Sequence, residues 1–192
     1  MDRTRRPPPT GHPVEVAGRS ELGGQDVADI IGPDLSVLFC GINPGQTSGS
    51  LGQHFARPGN RFWKVLHGAG FTDRVLVPSE QRLLLDYRLG ITNLVDRTTR
   101  AATDVGRPEL AEGAERLTLK LERWRPAWVA VLGVTAYRRA FGRPRATIGR
   151  QAERIGSTGL WVLPNPSGLQ ARYQLPEMVE MFAELRTVAS QA

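Results

Sequence analysis

Hydrophobic and polar positions alternate along the chain in blocks that predict strands followed by helices. Short apolar runs predict strands at residues 35–40, 91–95, 128–132 and 160–163. Apolar residues spaced by three and four positions predict helices at residues 60–69, 79–87, 109–124, 134–141 and 176–188. The helix at 109–124 has the clearest pattern, since Leu110, Ala114, Leu117, Leu121 and Trp124 recur on one face.

The predicted strands are apolar without polar alternation, which is typical of strands that are buried on both faces. Strands that alternate with helices indicate parallel strands connected by crossover helices. The sequence therefore predicts an α/β fold: a three-layer sandwich with a central, mostly parallel sheet of four or five strands, flanked by helices.

The N-terminal segment differs from the rest of the chain in composition. Residues 1–24 are rich in proline and glycine and contain few apolar residues, so we expect a flexible tail. Residues 25–192 are expected to form a single domain. The first residues have no apolar stretch of the secretory type, and no apolar run reaches the length of a membrane helix. We expect a cytoplasmic monomer without a membrane partner.

Composition adds information about redox chemistry and about partners. Cys40 is the single cysteine among 192 residues, so neither an internal disulfide nor a cysteine-ligated metal cluster can form. The 25 basic and 19 acidic residues give a net charge of +6, which favours a polyanion as partner. Six basic residues are clustered, and this cluster either lines a phosphate track or forms a solvated face: Arg138, Arg139, Arg143, Arg145, Arg150 and Arg154.

Two of the predicted strands end in loops of similar composition. The first is followed by Asn43-Pro44, between Gly41 and Gly45, and the last by Asn165-Pro166. Ligands of parallel sheets bind at the carboxyl ends of the strands. Proline favours an extended conformation in the preceding residue, and an amide side chain offers both a donor and an acceptor. Each loop alone is compatible with ordinary turn chemistry, but the pair favours a site for a planar ligand such as a nucleobase.

The segment after the first of these loops contains an aromatic residue outside the predicted helices. Phe55 lies between polar residues, so it either stacks on a base or packs within its loop. The neighbouring His54 is expected to be a solvated loop histidine.

Four motifs in order resemble the mismatch-specific uracil-DNA glycosylases, which are relatives of thymine-DNA glycosylase in the uracil-DNA glycosylase superfamily. They are FCGINPG (39–45), FARPGNRFW (55–63), GITNLVDR (90–97) and NPSGL (165–169). The resemblance extends from about residue 28 to residue 187 and leaves out the tail.

The resemblance implies a uracil-DNA glycosylase-like fold and a monofunctional DNA glycosylase of base excision repair. Such an enzyme flips a uracil that is mispaired with guanine out of double-stranded DNA. It then hydrolyses the N-glycosidic bond and leaves an abasic site. Thymine and etheno-cytosine are further candidate bases. The resemblance implies no metal and no organic cofactor, and it places the protein with the nucleoid of a bacterial cytoplasm.

The resemblance also assigns roles to residues on the base side of the site. It implies that Asn43 positions the attacking water. The backbone at Gly41 and Ile42 is expected to read the edge of the flipped base, and Phe55 to stack on it. Asn93 and Asn165 are further candidates for contacts with the base.

On the DNA side, the resemblance assigns roles to the loop that contains NPSGL. Leu169 is expected to fill the gap that the flipped nucleotide leaves. Ser167, Gly168 and Arg172 are expected to contact the DNA, with Gly168 and Arg172 next to the opposite guanine. Arg172 stands one residue further from Leu169 than the corresponding arginine of the family.

A carboxylate is a second candidate for the chemistry. An amide cannot accept a proton near neutral pH, so Asn43 can only orient water. Asp96, directly after the strand at 91–95, is the candidate that assists it. The alternative for Asp96 is a structural role, either in a pair with Arg97 or as a helix cap.

Two other functions remain open at this point. The first is a catalytically inactive DNA-binding domain of the same fold. The second is a nucleotide hydrolase, which is disfavoured because it needs clustered metal-binding carboxylates and the sequence has no such motif.

Overall fold

The structure is a computed structural model that describes residues 27–168 and 172–191. The predicted tail, residues 1–24, and Leu169 lie outside the described residues. In chain order the elements are β1 (Val37–Gly41), α1 (Gln46–Leu51), α2 (Phe62–Gly68), a 3₁₀ helix (Pro78–Tyr87), β2 (Leu89–Asn93), a short 3₁₀ helix (Ala102–Asp104), α3 (Arg107–Trp124), β3 (Trp128–Leu132), α4 (Val134–Ala140), β4 (Gly149–Ile155), β5 (Thr158–Leu163) and α5 (Leu175–Ala189).

The strands form one five-stranded sheet in the order β2-β1-β3-β5-β4. Parallel pairing joins β2, β1, β3 and β5, and β4 lies antiparallel to β5 at the edge. The predicted α/β fold with a mostly parallel sheet is confirmed. The strand β4 was not predicted, because its sequence GRQAERI is polar and largely exposed and therefore carries no apolar signal.

Helices cover both faces of the sheet and give the predicted three layers. Successive strand residues point to opposite faces. Accordingly, Val37 and Phe39 pack with α2 and α5, whereas Leu38 and Cys40 pack with α3 and α4. Every residue of β1, β2, β3 and β5 is buried. This two-sided burial explains why the strand sequences show no polar alternation.

The helix α3 lies unusually close to the segment that follows β2. A Cβ atom at Gly113 would stand 2.3 Å from the carbonyl oxygen of Leu94, so only glycine allows this approach. The buried face of the helix also contains Leu110, Leu117 and Leu121, as the apolar spacing predicted. Trp124 at the helix end is half-buried.

The loop after β1 is held against the loop after β2. The N–H groups of Leu94 and Val95 donate to the carbonyl oxygens of Gly41 and Ile42, each at 2.9 Å. The N–H of Thr99 donates to the Pro44 carbonyl oxygen at 3.1 Å. These bonds continue the parallel pairing beyond the strands and fix the backbone of the first Asn-Pro loop at the carboxyl edge of the sheet.

No helix in the described part of the chain, residues 27–168 and 172–191, is both long enough and apolar enough to span a bilayer. Within the same residues, no group of three or more His, Cys, Asp or Glu side chains is placed to hold a metal ion.

Candidate active site

A cavity of about 470 Å³ opens at the carboxyl edge of the sheet. The loops after β1, β2 and β5 line it, together with the segment between α1 and α2. The lining contains predicted site residues from all four of these segments: Gly41, Ile42, Asn43, Phe55, Asn93, Asn165 and Ser167. The two Asn-Pro loops, which are far apart in sequence, therefore border the same space.

The side chain of Asn43 is held in one orientation by its amide nitrogen. Nδ2 donates to the Pro44 carbonyl oxygen at 2.8 Å and to Oγ1 of Thr99 at 2.6 Å. The Thr99 hydroxyl in turn donates to the Ala101 carbonyl oxygen at 2.7 Å. Because a carbonyl can only accept, Nδ2 cannot be exchanged with Oδ1. Both amide hydrogens are used, so Asn43 offers a ligand its carbonyl oxygen, which is an acceptor.

Phe55 adopts a backbone conformation that is rare for a residue with a side chain. Its φ is 52°, in the left-handed region, which costs about 1 kcal/mol or more for a non-glycine residue. The ring stacks on Phe62, with centroids 4.0 Å apart. Phe55 is half-buried and lines the cavity. The strained backbone is thus maintained by core packing and keeps an aromatic ring at the cavity wall.

Gly41 leaves room for two of the lining side chains. A Cβ atom at this position would lie 2.4 Å from Oδ1 of Asn93 and 3.4 Å from Cζ of Phe55. The absence of a side chain at the end of β1 therefore lets Asn93 and Phe55 approach the first Asn-Pro loop.

His54 is buried, with 2% of its surface exposed, so the expectation of a solvated loop histidine was wrong. The sequence neighbours of His54 are polar, but the segment before β1 covers its ring. Nε2 lies 3.0 Å from the Ala28 carbonyl oxygen, and Nδ1 lies 3.5 Å from Nδ2 of Asn93. Burial lowers the pKa of His54 from 6.5 to about 4, so the imidazole is neutral at physiological pH.

Asn165 has a structural role in its loop and also lines the cavity. Its Oδ1 accepts a hydrogen bond from the N–H of Ser167 at 3.0 Å. This is the local turn chemistry that asparagine favours. The alternative of ordinary turn chemistry therefore holds for this loop, even though Asn165 lines the cavity.

Arg61 fastens the loop that follows β5. Its Nη1 donates to the Tyr173 carbonyl oxygen at 2.7 Å and its Nη2 to the Ser167 carbonyl oxygen at 2.9 Å. The backbone N–H of Arg61 donates to the Pro166 carbonyl oxygen at 2.9 Å. One guanidinium group thus holds both sides of the segment that contains Leu169.

The hydrogen bonds of Arg61 form a clamp on the loop after β5. The other residues that were predicted to contact DNA lie beside this clamp. Gly168 is exposed and packs against Gly59, where a Cβ atom would lie 2.6 Å from the Gly59 carbonyl oxygen. Arg172 is exposed, and its guanidinium lies 5.3 Å from the centre of the Tyr173 ring. Arg172 does not line the cavity.

Asp96 is not part of the cavity lining. Its side chain is 49% exposed, and Oδ2 lies 4.0 Å from Nε of Arg116 on α3. Arg97 pairs with Glu109 instead, at 2.6 Å. Asp96 therefore does not line the cavity with Asn43, and its carboxylate lies near Arg116 on the surface. The chain turns toward α3 after Val95, which directs this carboxylate to the surface.

The cavity has a positive rim and a neutral interior. Its lining contains the exposed residues Arg57 and Arg100, and no aspartate or glutamate is among the described residues that line it. Such an arrangement suits a ligand that carries phosphate groups.

Sequence reasoning missed three residues that shape the site. Thr99 orients Asn43, His54 contacts Asn93, and Arg61 clamps the loop after β5. His54 and Arg61 stand in or next to the FARPGNRFW motif, so position in a motif was the available signal for these two. Nothing in the local sequence singles out Thr99.

The sequence profile of the Uracil DNA glycosylase superfamily matches residues 28–186 of this chain. The chain belongs to the uracil DNA glycosylase superfamily. It is thus a protein of a DNA glycosylase family, and DNA is its partner. The matched residues include the cavity and all the elements that line it.

A solved structure has the same fold. It is the solution NMR structure of a candidate uracil DNA glycosylase from Methanosarcina acetivorans, which aligns with a TM-score of 0.55 and 19% sequence identity. The alignment covers 84% of this chain and 98% of the other. The uracil DNA glycosylase-like architecture is therefore common to two chains of low sequence identity.

Proposed function

We propose that this protein is a monofunctional DNA glycosylase that excises uracil mispaired with guanine and leaves an abasic site. The observation that carries the proposal is the orientation of Asn43. Its amide hydrogens bond to Pro44 and Thr99, so its carbonyl oxygen is available to a water molecule at the cavity. The ring of Phe55 at the same cavity supplies a surface on which a base can stack.

The reaction requires access to the bond between C1′ and N1, which is hidden in the duplex. The nucleotide is therefore flipped into the cavity, at a cost of a few kcal/mol that is least for a mismatched pair. Leu169 fills the vacated space in the stack, as apolar wedges do. Arg57 and Arg100 line the cavity, and we assign to them the phosphates that flank the flipped nucleotide.

In the chemical step, water attacks C1′ while the bond to N1 breaks. The bonding electron pair leaves with N1 of uracil, and the oxygen of the water becomes the hydroxyl group of the abasic sugar. The carbonyl oxygen of Asn43 accepts a hydrogen bond from the water and so directs an oxygen lone pair toward C1′. No cavity-lining carboxylate takes the proton among the described residues. It is therefore released late, to the departing uracil anion or to solvent.

The test is single-turnover excision from a duplex that contains one U:G pair. Asn43→Ala should reduce the rate by about 100-fold or more, since the water loses its orientation. Gln151→Ala, which removes an amide from β4 outside this cavity, is the matched control and should retain the wild-type rate. A wild-type rate for Asn43→Ala overturns the role of Asn43. Tight duplex binding by wild-type protein without any uracil release would indicate the catalytically inactive DNA-binding domain.

The base range and the requirement for guanine form the finer part of the proposal. Uracil, thymine and etheno-cytosine are each placed opposite guanine, and uracil also opposite adenine. Excision of U:G at least about tenfold faster than U:A supports mismatch specificity, because a mispaired base is easier to flip. Equal rates contradict it.

A further inference from the structure

A second cavity, of about 450 Å³, lies beside the edge strand β4. Two segments line it, residues 142–147 of the loop after α4 and residues 150–153 of β4. We call this cavity the β4 groove. It shares no lining residue with the cavity that contains Asn43, so a ligand of the groove leaves that cavity open.

The two segments that line the β4 groove are held in place by hydrogen bonds within the protein. Nε of Arg138 donates to the Ala146 carbonyl oxygen at 2.8 Å, and the N–H of Ala146 donates to the Arg143 carbonyl oxygen at 3.0 Å. Nε2 of Gln151 donates to the Thr147 carbonyl oxygen at 2.9 Å, which ties β4 to the loop. The groove is therefore preformed, and this lowers the entropy cost of binding a ligand.

The pairing of β4 with β5 is irregular where β4 lines the groove. Arg150 stands opposite Trp161 and Arg154 opposite Gly159, so residues 151–153 of β4 face a single residue of β5. A bulge of this kind leaves backbone groups of the bulged strand without partners in the sheet. Among the described residues, no strand lies on the outer side of β4. The groove therefore presents both N–H and C=O groups of an edge strand to a ligand.

The side chains of the β4 groove carry a positive net charge. Arg143, Arg145 and Arg150 line it together with one carboxylate, Glu153. Arg143 pairs with Glu153 at 2.9 Å, and this pair joins the two segments. In the part of the chain that the structure describes, Arg145 and Arg150 form no ion pair with a carboxylate. Two guanidinium groups therefore remain for carboxylates of a ligand.

We propose that the β4 groove is a docking surface for an extended, acidic segment of a partner protein. Carboxylates of the segment pair with Arg145 and Arg150, as Glu153 pairs with Arg143. The backbone of the segment supplies donors and acceptors to β4, as in strand addition. A nucleic acid fits this surface less well, because phosphate groups only accept and leave the carbonyl groups of β4 without donors. The inference does not depend on the proposed excision of uracil.

The probe is a fluorescein-labelled peptide of five Glu-Thr repeats, whose Kd is measured by fluorescence anisotropy. Arg145→Gln combined with Arg150→Gln should raise the Kd by about fivefold or more, because two ion pairs are lost. Arg57→Gln combined with Arg100→Gln removes the same charge at the other cavity and should leave the Kd unchanged. Thermal unfolding verifies that each variant is folded. Arg145→Gln alone changes an exposed side chain and repeats the test if the double variant is unstable.

Three results of this assay would overturn the proposal. The first is no binding of the Glu-Thr peptide by wild-type protein at low salt. The second is an equal rise in Kd for the two double variants, which would indicate attraction by net charge alone. The third is equal affinity for a peptide of Gln-Thr repeats, which would show that carboxylates are not recognised.

Glu153 supplies a test in the opposite direction. Glu153→Gln removes the carboxylate that occupies Arg143, so the Kd of the Glu-Thr peptide should fall by about threefold. Glu112→Gln changes the net charge equally at a glutamate that lies 4.0 Å from Arg116 on α3 and should leave the Kd unchanged. A fall of the same size in both variants contradicts docking in the groove.

The place of binding and the class of partner are tested separately. In ¹H–¹⁵N NMR spectra of wild-type protein, the peptide should shift the amide signals of residues 142–147 and 150–153 and not those of residues 41–45. Shifts confined to other residues overturn the proposal. A loss of affinity for a lesion-free duplex in Arg145→Gln, as large as the loss for the peptide, would assign the groove to DNA. A dimer of the free protein that dissociates in this variant would assign it to a second copy of the chain. Either result overturns the proposal.

Discussion

At the scale of single residues, side chains distant in sequence determine what the cavity presents to a ligand. The amide of Asn43 is oriented by Thr99, which is 56 positions further along the chain. The Thr99 hydroxyl accepts from Asn43 and donates to the Ala101 carbonyl, and this uses both of its functions. Thr99 affects the proposed reaction through its hydrogen bond to Asn43. Substitution of Thr99 therefore tests whether the orientation of the Asn43 amide matters for excision.

Thr99→Val replaces the hydroxyl with a methyl group of similar size. Nδ2 of Asn43 then loses one acceptor, and we expect uracil excision to slow by about tenfold. Thr99→Ser retains the hydroxyl and should remain close to the wild-type rate. Single-turnover rates on the U:G duplex compare the two variants, and equal rates for valine and serine would show that the hydroxyl does not orient Asn43.

His54 should make the stability of the protein depend on pH. Its pKa is about 4 in the folded protein and 6.5 when exposed, so the unfolded chain binds a proton between these values and the folded protein does not. The free energy of unfolding therefore falls as the pH is lowered from 6.5 to 4, by at most about 3 kcal/mol.

Urea unfolding at pH 7.5, 5.5 and 4.5 measures this contribution. The decrease should be smaller in His54→Gln than in wild-type protein. His67→Gln, which changes an exposed histidine of α2, should reproduce the wild-type decrease. Identical pH dependence in all three proteins would contradict the prediction. Asp73, Glu80 and Glu109 also have lowered pKa values, but these groups are unchanged in all three proteins.

At the scale of elements, the clamp that Arg61 forms before α2 links the cavity to the loop after β5, for which DNA contacts are predicted. Arg61 stands directly before α2 and holds carbonyl groups 106 and 112 positions away. The forked guanidinium reaches both carbonyls at once, which the single ammonium group of lysine cannot do in the same way. The described ends of this loop, at Ser167 and Tyr173, are therefore held by a side chain that precedes a helix distant in sequence.

Arg61→Met should lower the free energy of unfolding by about 2 kcal/mol or more, because hydrogen bonds from a charged group are lost. It should also slow excision from the U:G duplex more than excision from a single strand, in which no gap in a base stack has to be filled. Arg82→Met changes an exposed arginine of the 3₁₀ helix and is the control. Equal losses on the two substrates would show that the clamp does not act through the loop.

At the scale of the whole molecule, the arginines fall into two groups that differ in their surroundings. Arg57 and Arg100 stand exposed at the cavity. Several arginines of the cluster around β4 are engaged within the protein. Arg143 pairs with Glu153 at 2.9 Å, Nε of Arg138 donates to the Ala146 carbonyl oxygen, and Arg150 lies over the Trp128 ring. These contacts favour the solvated structural face over the phosphate track for that cluster.

The salt dependence of duplex binding distinguishes the two groups. Neutralising Arg57 and Arg100 together with glutamine should lower the slope of log affinity against log salt by about 2, as for two phosphate contacts. The matched pair Arg143→Gln and Arg150→Gln should leave the slope unchanged. A lower slope for this second pair would instead establish the phosphate track.

The architecture and the place of the site could be predicted from the sequence, because both depend on local signals. Strands buried on two faces are apolar throughout, as in β3, whose predicted and observed bounds agree. Asn43-Pro44 and Asn165-Pro166 follow such strands, and the carboxyl ends of parallel strands meet at one edge. The strand β4 was not predicted, because an exposed strand at the edge of a sheet does not require an apolar pattern.

Only the tertiary structure decided which side chains meet at the site. Asp96 was close to the site in sequence, yet the turn after β2 directs it to Arg116 at the surface. His54 looked solvated, yet the segment at Ala28 buries it and sets its tautomer. The sequence by itself determined the layers and the sheet edge at which the cavity opens, since burial and backbone preference are encoded locally. Orientation and charge at the site depend on contacts between distant segments, and such contacts exist only once the chain has folded.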